Sequence, residues 1–576
     1  MHPSVPQPET RDPQIATALE RAGRSPDSLL PVLQMLNRQR GGLSDATVRD
    51  VSRAMNVPAE RVEGVATFYS LLSRPPQAGR TIRVCDGLTC WLNGATECRQ
   101  ALEQHAAERR GWRVTRSSCL GLCDRAPAAL VEDRQCGPIA PDGAGDVVDG
   151  WTGAMPTYGD PLPGEARFTL ARGRRIDPWS IDEALAAGAY SGLRTALSGS
   201  QGAVIEAIET AGLTGRGGAG FPTARKWRMV AEAPDGPRFV ICNADESEPL
   251  TFKDRVLMES DPHAVLEGMA VCGYAVGAAE GIVYIRGEYE PQARLLEAAI
   301  GQAVERGWLG GRIAGSGFSF HVHVHRGAGA YICGEETALL ESLEGRRGEP
   351  RIRPPYPAAH GFRGQPTVVN NVETLATAAA ILAQGAEAWR ATGLPEAPGT
   401  RLFTLQGHIR RSGLVELPCG LTLRQIIDTF GGGMRPGSRF QFALTGGAAG
   451  TFVSGDQLDV PLGPAARQAG IAIGSGGILV CDESVSPVAV LREALHFFEQ
   501  ESCGKCTPCR IGTAQARRTL DRLLSGDGDA GDLRRLDEFA RLLRNASFCG
   551  LGTSAADPIR TARERFPDEF ERLVSR

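Results

Sequence analysis

The sequence predicts a multidomain α/β protein with a helical region at each end. Its length of 576 residues gives room for about three or four domains, each large enough to bury a core. Segments with a strand pattern alternate with helical segments through the middle of the chain, as they do in parallel sheets. Eight of the fifteen cysteines fall into two groups at the spacing of metal ligands, which predicts two metal centres.

Composition excludes some classes of function. The net charge is −4, the isoelectric point is near 6.2 and no Lys/Arg-rich run stands out, so nucleic acid is not an expected partner. The chain contains no stretch of about 18 apolar residues, and it begins with a polar, proline-rich segment. We therefore expect a cytoplasmic protein without direct membrane insertion, in which the cysteines do not form a disulfide framework.

Lysine is rare in this chain. Of 63 basic residues only three are lysines, Lys226, Lys253 and Lys505, and all three lie in or beside the motifs described below. A compact ammonium group is not equivalent to a planar guanidinium at a crowded site. We therefore expect lysine to be required at these positions, with chance as the alternative.

Residues 1–76 are predicted to form a small helical bundle. The segment LLPVLQMLNRQ has apolar residues at helical spacing, and Ser44 is placed to cap the helix that follows it. From Thr81 the pattern changes to strand, helix and strand, which makes 77–140 a separate domain. The segment 141–178 is rich in Gly, Pro and Asp, has no sustained period and is predicted to be a linker.

The 77–140 domain carries the first cysteine group. Cys85 and Cys90 form a C-x4-C pair, Cys119 and Cys123 form a C-x3-C pair, and each pair lies at the loop end of a predicted strand. Structural zinc usually has closer C-x2-C pairs, whereas four cysteines with wider gaps and no nearby histidine suit a [2Fe–2S] cluster. Zinc and a purely structural cysteine core are the alternatives.

The second half contains a glycine-rich loop, GRGGAGFPTARKW, at 215–227. Four glycines in six residues let the backbone lie against a ligand and turn its N–H groups toward a phosphate, so a nucleotide is the first candidate. The loop also matches G-x-G-x-x-G, but that fingerprint requires a preceding strand. Here a helical pattern at 203–213 precedes it, so an ordinary dinucleotide fold is not indicated; a structural turn is the alternative.

Polar residues follow the strands of this half. The strand RFVICNADESEP ends in Asn243, Asp245, Glu246 and Glu248, at the edge where ligands lie in open α/β sheets. A solvated acidic turn is the alternative interpretation.

Two further polar groups stand where helices are predicted to begin. A helix N-terminus is a suitable anion site, and asparagines there can also cap the helix without any ligand. The residues are Tyr331, Gly334, Glu335 and Glu336 at a second glycine-rich turn, and Asn370 and Asn371 at the next helix. Upstream, His321, His323 and His325 share one face of a strand; a partly buried sheet face explains them at least as well as a metal site.

The last two segments differ in character. Residues 398–476 alternate strands with one helix and carry no obvious chemistry, whereas 477–576 is helical. The helical segment holds cysteines at the C-x2-C-x2-C spacing of a [4Fe–4S] cluster, with a fourth on the next helical hairpin and zinc as the alternative. These cysteines are Cys503, Cys506, Cys509 and Cys549.

Together these motifs resemble two subunits of respiratory complex I. The helical segment followed by C-x4-C and C-x3-C resembles its thioredoxin-fold [2Fe–2S] subunit, and the chain from Gly215 onward resembles its NADH-oxidising subunit. The resemblance covers nearly the whole chain. It implies a thioredoxin-like domain at 77–140, a Rossmann-like FMN- and NAD(H)-binding domain at 179–397, a β-grasp domain of the soluble-ligand-binding type at 398–476 and a helical [4Fe–4S] domain at 477–576.

The resemblance also implies roles for individual residues. NADH is expected to stack over the flavin with its adenine between Phe221 and Tyr356, while Glu248 and Glu336 face its polar groups. Acidic residues on the ribose side fit NAD rather than NADP, whose extra phosphate they repel. No catalytic acid, base or nucleophile is expected, since hydride moves between stacked rings. The residues that match FMN contacts are Gly215, Gly217, Gly218, Lys226, Asn243, Asp245, Glu246, Tyr331, Gly334, Glu335, Asn370, Asn371 and Thr374.

Two positions depart from the family pattern. Leu250 stands in SEPLTFKDR where relatives generally have glycine, which puts the turn beside Asp245 and Glu248 in question. Tyr356 stands in PPYP where phenylalanine is usual; stacking should survive, and the added hydroxyl needs a partner.

The chemistry requires a flavin between the nucleotide and the clusters. A nicotinamide gives up two electrons together as a hydride, whereas an iron–sulfur cluster accepts one. Flavin exchanges electrons in either form, so a chain with nucleotide-binding loops and two clusters needs it.

Fusion of the two modules in one chain narrows the choice of enzyme complex to which the chain belongs. In complex I they are generally separate chains, fused chains of NAD-reducing hydrogenases often lack the N-terminal cluster cysteines, and electron-bifurcating hydrogenases often append ferredoxin modules. With all four cysteines present and a chain that stops soon after the [4Fe–4S] motif, the sequence most resembles the diaphorase subunit of soluble, metal-dependent, NAD-linked formate dehydrogenases. We expect a large catalytic partner with a molybdenum or tungsten cofactor and iron–sulfur clusters. A hydrogenase or complex I partner is the alternative, and a non-catalytic iron–sulfur relay protein is the alternative from another class.

Overall fold

The N-terminal region is a helical bundle. The computed structural model describes residues 10–574 except 110, 152, 154–157, 159, 174 and 235, so the first nine residues of the predicted bundle lie outside the described range. Ser44 caps the third helix as predicted, because its hydroxyl accepts a hydrogen bond from the Thr47 N–H at 3.1 Å. The helices are α1 (Pro13–Ala22), α2 (Leu29–Arg40), α3 (Asp45–Met55) and α4 (Ala59–Phe68).

The next domain has a four-stranded sheet in the order β2-β1-β3-β4. The first two strands pair in parallel and the other pairs are antiparallel. Its elements are β1 (Arg80–Cys85), α5 (Leu88–Leu92), α6 (Ala95–Glu108), β2 (Trp112–Ser117), β3 (Ala129–Val131), β4 (Arg134–Cys136) and α7 (Ala144–Gly150).

Helix α7 corrects the prediction of a linker over 141–178. Its residues Val147 and Val148 are buried in one cluster with Leu102 of α6, so the helix belongs to the packed second domain. Short helices rich in Gly and Asp have weak periodicity, and tertiary packing stabilises this one. Farther along, the backbone N–H groups of Phe168–Leu170 donate to the buried carboxylate of Glu416, which fixes these three residues to the fourth domain.

The third domain contains an all-parallel sheet in the order β7-β6-β5-β8. Helix α13 is almost wholly buried against this sheet and α17. The elements are α8 (Ile181–Ala186), α9 (Ser191–Ser198), α10 (Gln201–Ala211), α11 (Thr223–Ala231), β5 (Phe239–Ala244), α12 (Lys253–Ser260), α13 (Pro262–Val276), β6 (Glu280–Ile285), α14 (Glu290–Glu305), β7 (His321–Arg326), α15 (Glu336–Leu343), α16 (Pro357–His360), β8 (Thr367–Asn371), α17 (Val372–Gln384) and α18 (Ala386–Arg390).

The fourth domain has a five-stranded mixed sheet in the order β12-β11-β15-β13-β14. Strand β15 is buried along its whole length and pairs with β11 and β13, so the predicted boundary at 476/477 falls too early. The elements are β9 (Gly393–Leu394), β10 (Ala397–Pro398), β11 (Thr400–Gly407), β12 (Gly413–Pro418), α19 (Leu423–Gln425), β13 (Phe440–Thr445), β14 (Thr451–Val453), α20 (Pro464–Gln468) and β15 (Gly477–Asp482).

The C-terminal region is helical, as predicted. In the described part of the chain, no helix combines the length and apolar character needed to cross a membrane. The helices are α21 (Pro487–Glu501), α22 (Thr507–Ser525), α23 (Ala530–Ala546), α24 (Gly550–Ser554), α25 (Ala556–Arg565) and α26 (Pro567–Val574).

Candidate functional site

A large cleft lies between the parallel sheet and the fourth domain. It contains about 2810 Å³ of empty space, and the glycine-rich loop, the ends of the parallel strands and the loops before β11 and β15 line it. Ligands in open α/β sheets lie at this edge. The predicted residues that line the cleft are Gly217, Gly218, Asn243, Asp245, Glu246, Glu248, Tyr331, Gly334, Glu335 and Asn371.

The glycine-rich loop follows helix α10 rather than a strand and leads into α11, as the sequence indicates. Gly218 has a φ of +114° and no neighbour within 4 Å of an added Cβ, so its backbone is open toward the cleft. At Gly217 a Cβ would lie 3.2 Å from Asn371 Cβ. An open backbone beside a polar amide is a suitable cradle for a flavin nucleotide.

Three of the predicted residues support the cleft wall from behind. Lys226 Nζ donates to Val369 O at 3.1 Å and to Glu336 Oε2 at 3.2 Å, which holds its ammonium at the end of β8. Asn370 Oδ1 accepts a hydrogen bond from the Trp227 indole at 2.8 Å.

The remaining four predicted residues do not line the cleft. Phe221 and Tyr356 are 40% and 52% exposed, and their stacking on the adenine of NADH stays a prediction. Gly215 donates its N–H to Phe221 O at 2.8 Å, which closes the loop on itself. Thr374 acts behind the loop, where its hydroxyl accepts a hydrogen bond from the Arg216 N–H at 2.9 Å.

Of the acidic residues after β5, Asp245 and Glu246 are buried and Glu248 is partly buried, which rules out the alternative of a solvated turn. Burial raises the pKa of Asp245 well above its ordinary value, and burial together with the charge of Asp254 raises the pKa of Glu246 to about 8. Burial also raises the pKa of Glu248 to about 7. Asn243 donates to Gly334 O at 2.8 Å and so joins this strand end to the second glycine-rich turn.

Glu248 connects the two walls of the cleft. One carboxylate oxygen accepts the Ala449 N–H of the fourth domain at 2.8 Å, and the other accepts the hydroxyl of Tyr331. The fourth domain therefore contributes to the site, although its sequence carries no obvious chemistry.

Of the asparagine pair, Asn371 has the capping role that was one of its two predicted roles, whereas contact with a ligand stays a prediction. Asn371 caps α17 by accepting the Glu373 N–H at 3.0 Å, and it also lines the cleft. Beneath it, Lys253 forms ion pairs with Asp254 at 2.8 Å and with Glu373 at 2.9 Å. Burial lowers the pKa of Lys253, but these two charges outweigh burial and raise it. The scarcity of lysine was the signal that pointed to this residue.

The C-terminal cysteines line one cavity with about 260 Å³ of empty space, part of it open to solvent. Cys506 and Cys549 stand at the N-terminal caps of α22 and α24, and Cys509 lies in the first turn of α22. Helix N-termini stabilise thiolates, which are the ligands of iron. Lys505 lies in the same wall, with its Nζ 2.6 Å from Pro350 O and 4.9 Å above the Phe548 ring.

The N-terminal cysteines are all buried at the β1 end of the second domain. Hydrogen bonds with Cys123 and Cys85 hold the pKa of Cys119 well below its ordinary value, so these thiols converge. Two arginines of the third domain fix the cysteine loop: Arg286 donates to Cys119 O at 2.6 Å, and Arg255 donates to Gly121 O at 3.2 Å.

The histidine strand has the character of a sheet face. Among the residues that the structure describes, no group of three or more His, Cys, Asp and Glu side chains is arranged to hold a single metal ion. Burial lowers the pKa of His325 to about 4, and its ring stacks on Tyr284 at 5.5 Å.

Three family models match the chain. They are described as thioredoxin-like [2Fe–2S] ferredoxin for residues 15–152, Nuo51 FMN-binding domain for residues 208–380, and NADH-ubiquinone oxidoreductase-F iron-sulfur binding region for residues 489–573. The first match extends past α7. Together they confirm the predicted FMN- and NADH-binding domain, the [2Fe–2S] domain and the [4Fe–4S] region.

Individual proteins are similar over long stretches. An F-type subunit of the NADH-quinone oxidoreductase of Rhizobium meliloti (strain 1021) is 46% identical over 387 residues, which are 67% of this chain and 92% of that protein. The HndC subunit of the NADP-reducing hydrogenase of Solidesulfovibrio fructosivorans is 44% identical over 400 residues, 69% of this chain and 81% of that protein. A chain in the crystal structure of an NAD+-reducing [NiFe]-hydrogenase in the air-oxidized state aligns with a TM-score of 0.82 and 34% identity, over 96% of this chain and 94% of that chain.

Proposed function

Because this chain belongs to the family of F-type subunits of NADH-quinone oxidoreductases, a family of flavin iron–sulfur oxidoreductases, we propose that it is the diaphorase subunit of an NAD-linked formate dehydrogenase. In this role it would pass electrons between NAD(H) and the catalytic subunit. The similarity to the relatives supports electron transfer among NADH, FMN and iron–sulfur clusters. The identity of the partner enzyme is the more specific part of the proposal.

One structural observation supports the proposed path of the electrons. Ile332 and Leu551 line both the nucleotide cleft and the cavity of the C-terminal cysteines, so the two sites are adjacent at these residues. Electrons that leave the cleft therefore reach the four-cysteine cavity over a short distance. This adjacency favours the enzyme over a relay protein that binds no nucleotide.

The residues of the chain would bind and orient the reacting rings. FMN, when bound, supplies the exchange between paired and single electrons. The open backbone at Gly218 would lie against it, and the ammonium of Lys226 is held at the adjacent end of β8. Glu248 and Tyr331 are joined across the mouth of the site, where they would orient the nicotinamide nucleotide.

The fusion supports a formate dehydrogenase partner. This chain joins a [2Fe–2S] domain with all four buried cysteines to the FMN and [4Fe–4S] regions, the combination that resembles such diaphorase subunits. A hydrogenase partner is the second candidate, because a single hydrogenase chain aligns with 96% of this one. The relative from Rhizobium meliloti matches only 67% of this chain.

The partner can be identified from the native complex. The chain would be tagged and purified without oxygen, and the NAD reduction driven by formate and by H2 would be measured on the same sample. We expect NADH formation with formate and a co-purifying large subunit that contains molybdenum or tungsten. NADH formation with H2 alone would assign the chain to a hydrogenase, and quinone reduction by NADH without either substrate would assign it to complex I.

A further inference from the structure

Arg401 is a partly buried cation that lacks an ion-pair partner among the described residues. It lies on β11 and lines the cleft together with Arg216 of the glycine-rich loop. Its Nη2 donates to Gly474 O at 3.0 Å, whereas its buried Nε has no hydrogen-bond partner. Within the described residues, no carboxylate forms an ion pair with its guanidinium.

The carboxylate whose charge acts on Arg401, that of Glu373, is already engaged. Glu373 Oε2 lies 2.9 Å from Lys253 Nζ, and Glu373 Oε1 accepts the Leu402 N–H at 3.0 Å and lies 3.8 Å from Arg216 Nε. Arg216 Nε, like that of Arg401, is buried without a hydrogen-bond partner. Burial and the charge of Arg216 lower the pKa of Arg401 to about 10.

Charges of both signs line the cleft. Its carboxylates include Asp245, Glu246 and Glu248, and its cations include Arg401 on β11 and Arg216 of the glycine-rich loop. A buried charge is costly unless it is paired, and guanidinium groups match phosphate oxygens in geometry as well as charge. An anionic group of the ligand is therefore directed toward the arginines, and sugar hydroxyls toward the carboxylates.

We propose that Arg401, with Arg216 beside it, binds a phosphate group of a nucleotide held in the cleft. The inference rests on the proposed function, and it extends the site to a domain whose sequence carries no obvious chemistry. The monophosphate of FMN and the diphosphate of NAD share this chemistry. In either case the phosphate would join the glycine-rich loop to the β11 sheet.

The test compares ligands with and without phosphate on the full chain. Arg401→Met removes the charge and keeps most of the volume, Arg401→Gln is a second uncharged variant should the first fail to fold, and Arg401→Lys keeps the charge. Arg439→Met is the matched control, because Arg439 carries the same charge in the same domain with its side chain 86% exposed. Flavin-depleted protein would be titrated with FMN and with riboflavin, and flavin-loaded protein with ADP-ribose and with adenosine as competitors of NADH.

A lost charge-assisted hydrogen bond should weaken binding about tenfold to a hundredfold. In Arg401→Met we expect weaker binding of FMN with unchanged binding of riboflavin, or weaker binding of ADP-ribose with unchanged binding of adenosine. The first result would identify the phosphate as that of FMN, and the second as that of NAD. Arg401→Lys should recover part of the loss, and Arg439→Met should match the wild type.

Two results would overturn the inference. Unchanged binding of all four ligands would show that the guanidinium contacts no phosphate, and an equal loss for FMN and riboflavin would show a structural role only. Failure of the wild-type chain to bind FMN at all would instead contradict the proposed function, so the two failures can be told apart.

Discussion

Substitution of Leu250 tests how the cleft turn tolerates a side chain where relatives have glycine. Leu250 has a φ of +77°, a conformation that costs an L-residue about 1–2 kcal/mol. Its side chain is fully buried, and its carbonyl accepts hydrogen bonds from Thr404 Oγ1 at 2.5 Å and Gln406 Nε2 at 2.6 Å. The turn between Glu248 and Lys253 therefore keeps a glycine-like backbone, and burial of leucine offsets the strain.

The expected changes in the free energy of unfolding predict similar stabilities for the alanine and glycine variants of Leu250. Leu250→Ala should cost about 2–5 kcal/mol, because it empties a buried site and keeps the strained φ. Leu250→Gly removes one more methyl group, about 0.8 kcal/mol, and adds chain freedom, about 0.5–1 kcal/mol, but it relieves the strain of about 1–2 kcal/mol. These contributions nearly cancel, so the alanine and glycine variants should have similar stability.

Leu444 supplies the control. It is fully buried on β13 and is not among the residues with positive φ, so glycine there has no strain to relieve. Leu444→Gly should be less stable than Leu444→Ala by about 1–2 kcal/mol.

The assay is the thermal midpoint of the four variants at fixed protein and FMN concentrations, because bound ligand raises it. For a cooperative folding unit of about 150–250 residues, a change of 1 kcal/mol in the free energy of unfolding shifts the midpoint by about 2–4 °C. The Leu250 variants should melt within about 2 °C of each other, whereas Leu444→Gly should melt several degrees below Leu444→Ala. An equally large gap at both positions would refute the assignment of strain to Leu250.

Three further predictions concern the site. Lys226→Ala should lose FMN during gel filtration, since the ammonium at the end of β8 is removed; normal flavin content and NADH oxidation would contradict its role. Cys506→Ala should leave flavin bleaching by NADH intact but stop formate-linked NADH formation, whereas Cys481→Ala, a buried cysteine outside both quartets, should have no such effect; formate-linked NADH formation at the wild-type rate would count against the path. The KM for NADH should fall as the pH rises through about 7, because burial raises the pKa of Glu248 to about 7 and the ionised carboxylate accepts hydrogen bonds from ribose hydroxyls more strongly than the protonated group does. Glu248→Gln should abolish this pH step, and its persistence would exclude Glu248 as the cause.

The parts of the site that could be predicted are those with local signals. The spacing of Cys503, Cys506 and Cys509 follows from the turn that places them around one cavity, so the sequence alone reveals the quartet. The strand end at Asn243 was likewise predictable, because a buried strand followed by polar residues marks the ligand edge of a parallel sheet.

The remaining parts depend on contacts between distant segments. Arg401 belongs to a strand whose pattern is that of any sheet, and only the docking of β11 against the glycine-rich loop brings its guanidinium near Arg216. Strand β15 was assigned to the wrong side of a boundary because its pairing with β11 joins segments about 70 residues apart. Such long-range pairing leaves no mark in local composition.

The most direct test of the account is an anaerobic titration of the purified chain with NADH, followed by visible absorbance and electron paramagnetic resonance. We expect equal amounts of iron and acid-labile sulfide, bleaching of the flavin absorbance and signals of reduced iron–sulfur clusters as NADH is added. Protein without flavin absorbance, with zinc in place of iron, or with cluster absorbance that NADH leaves unchanged would contradict it.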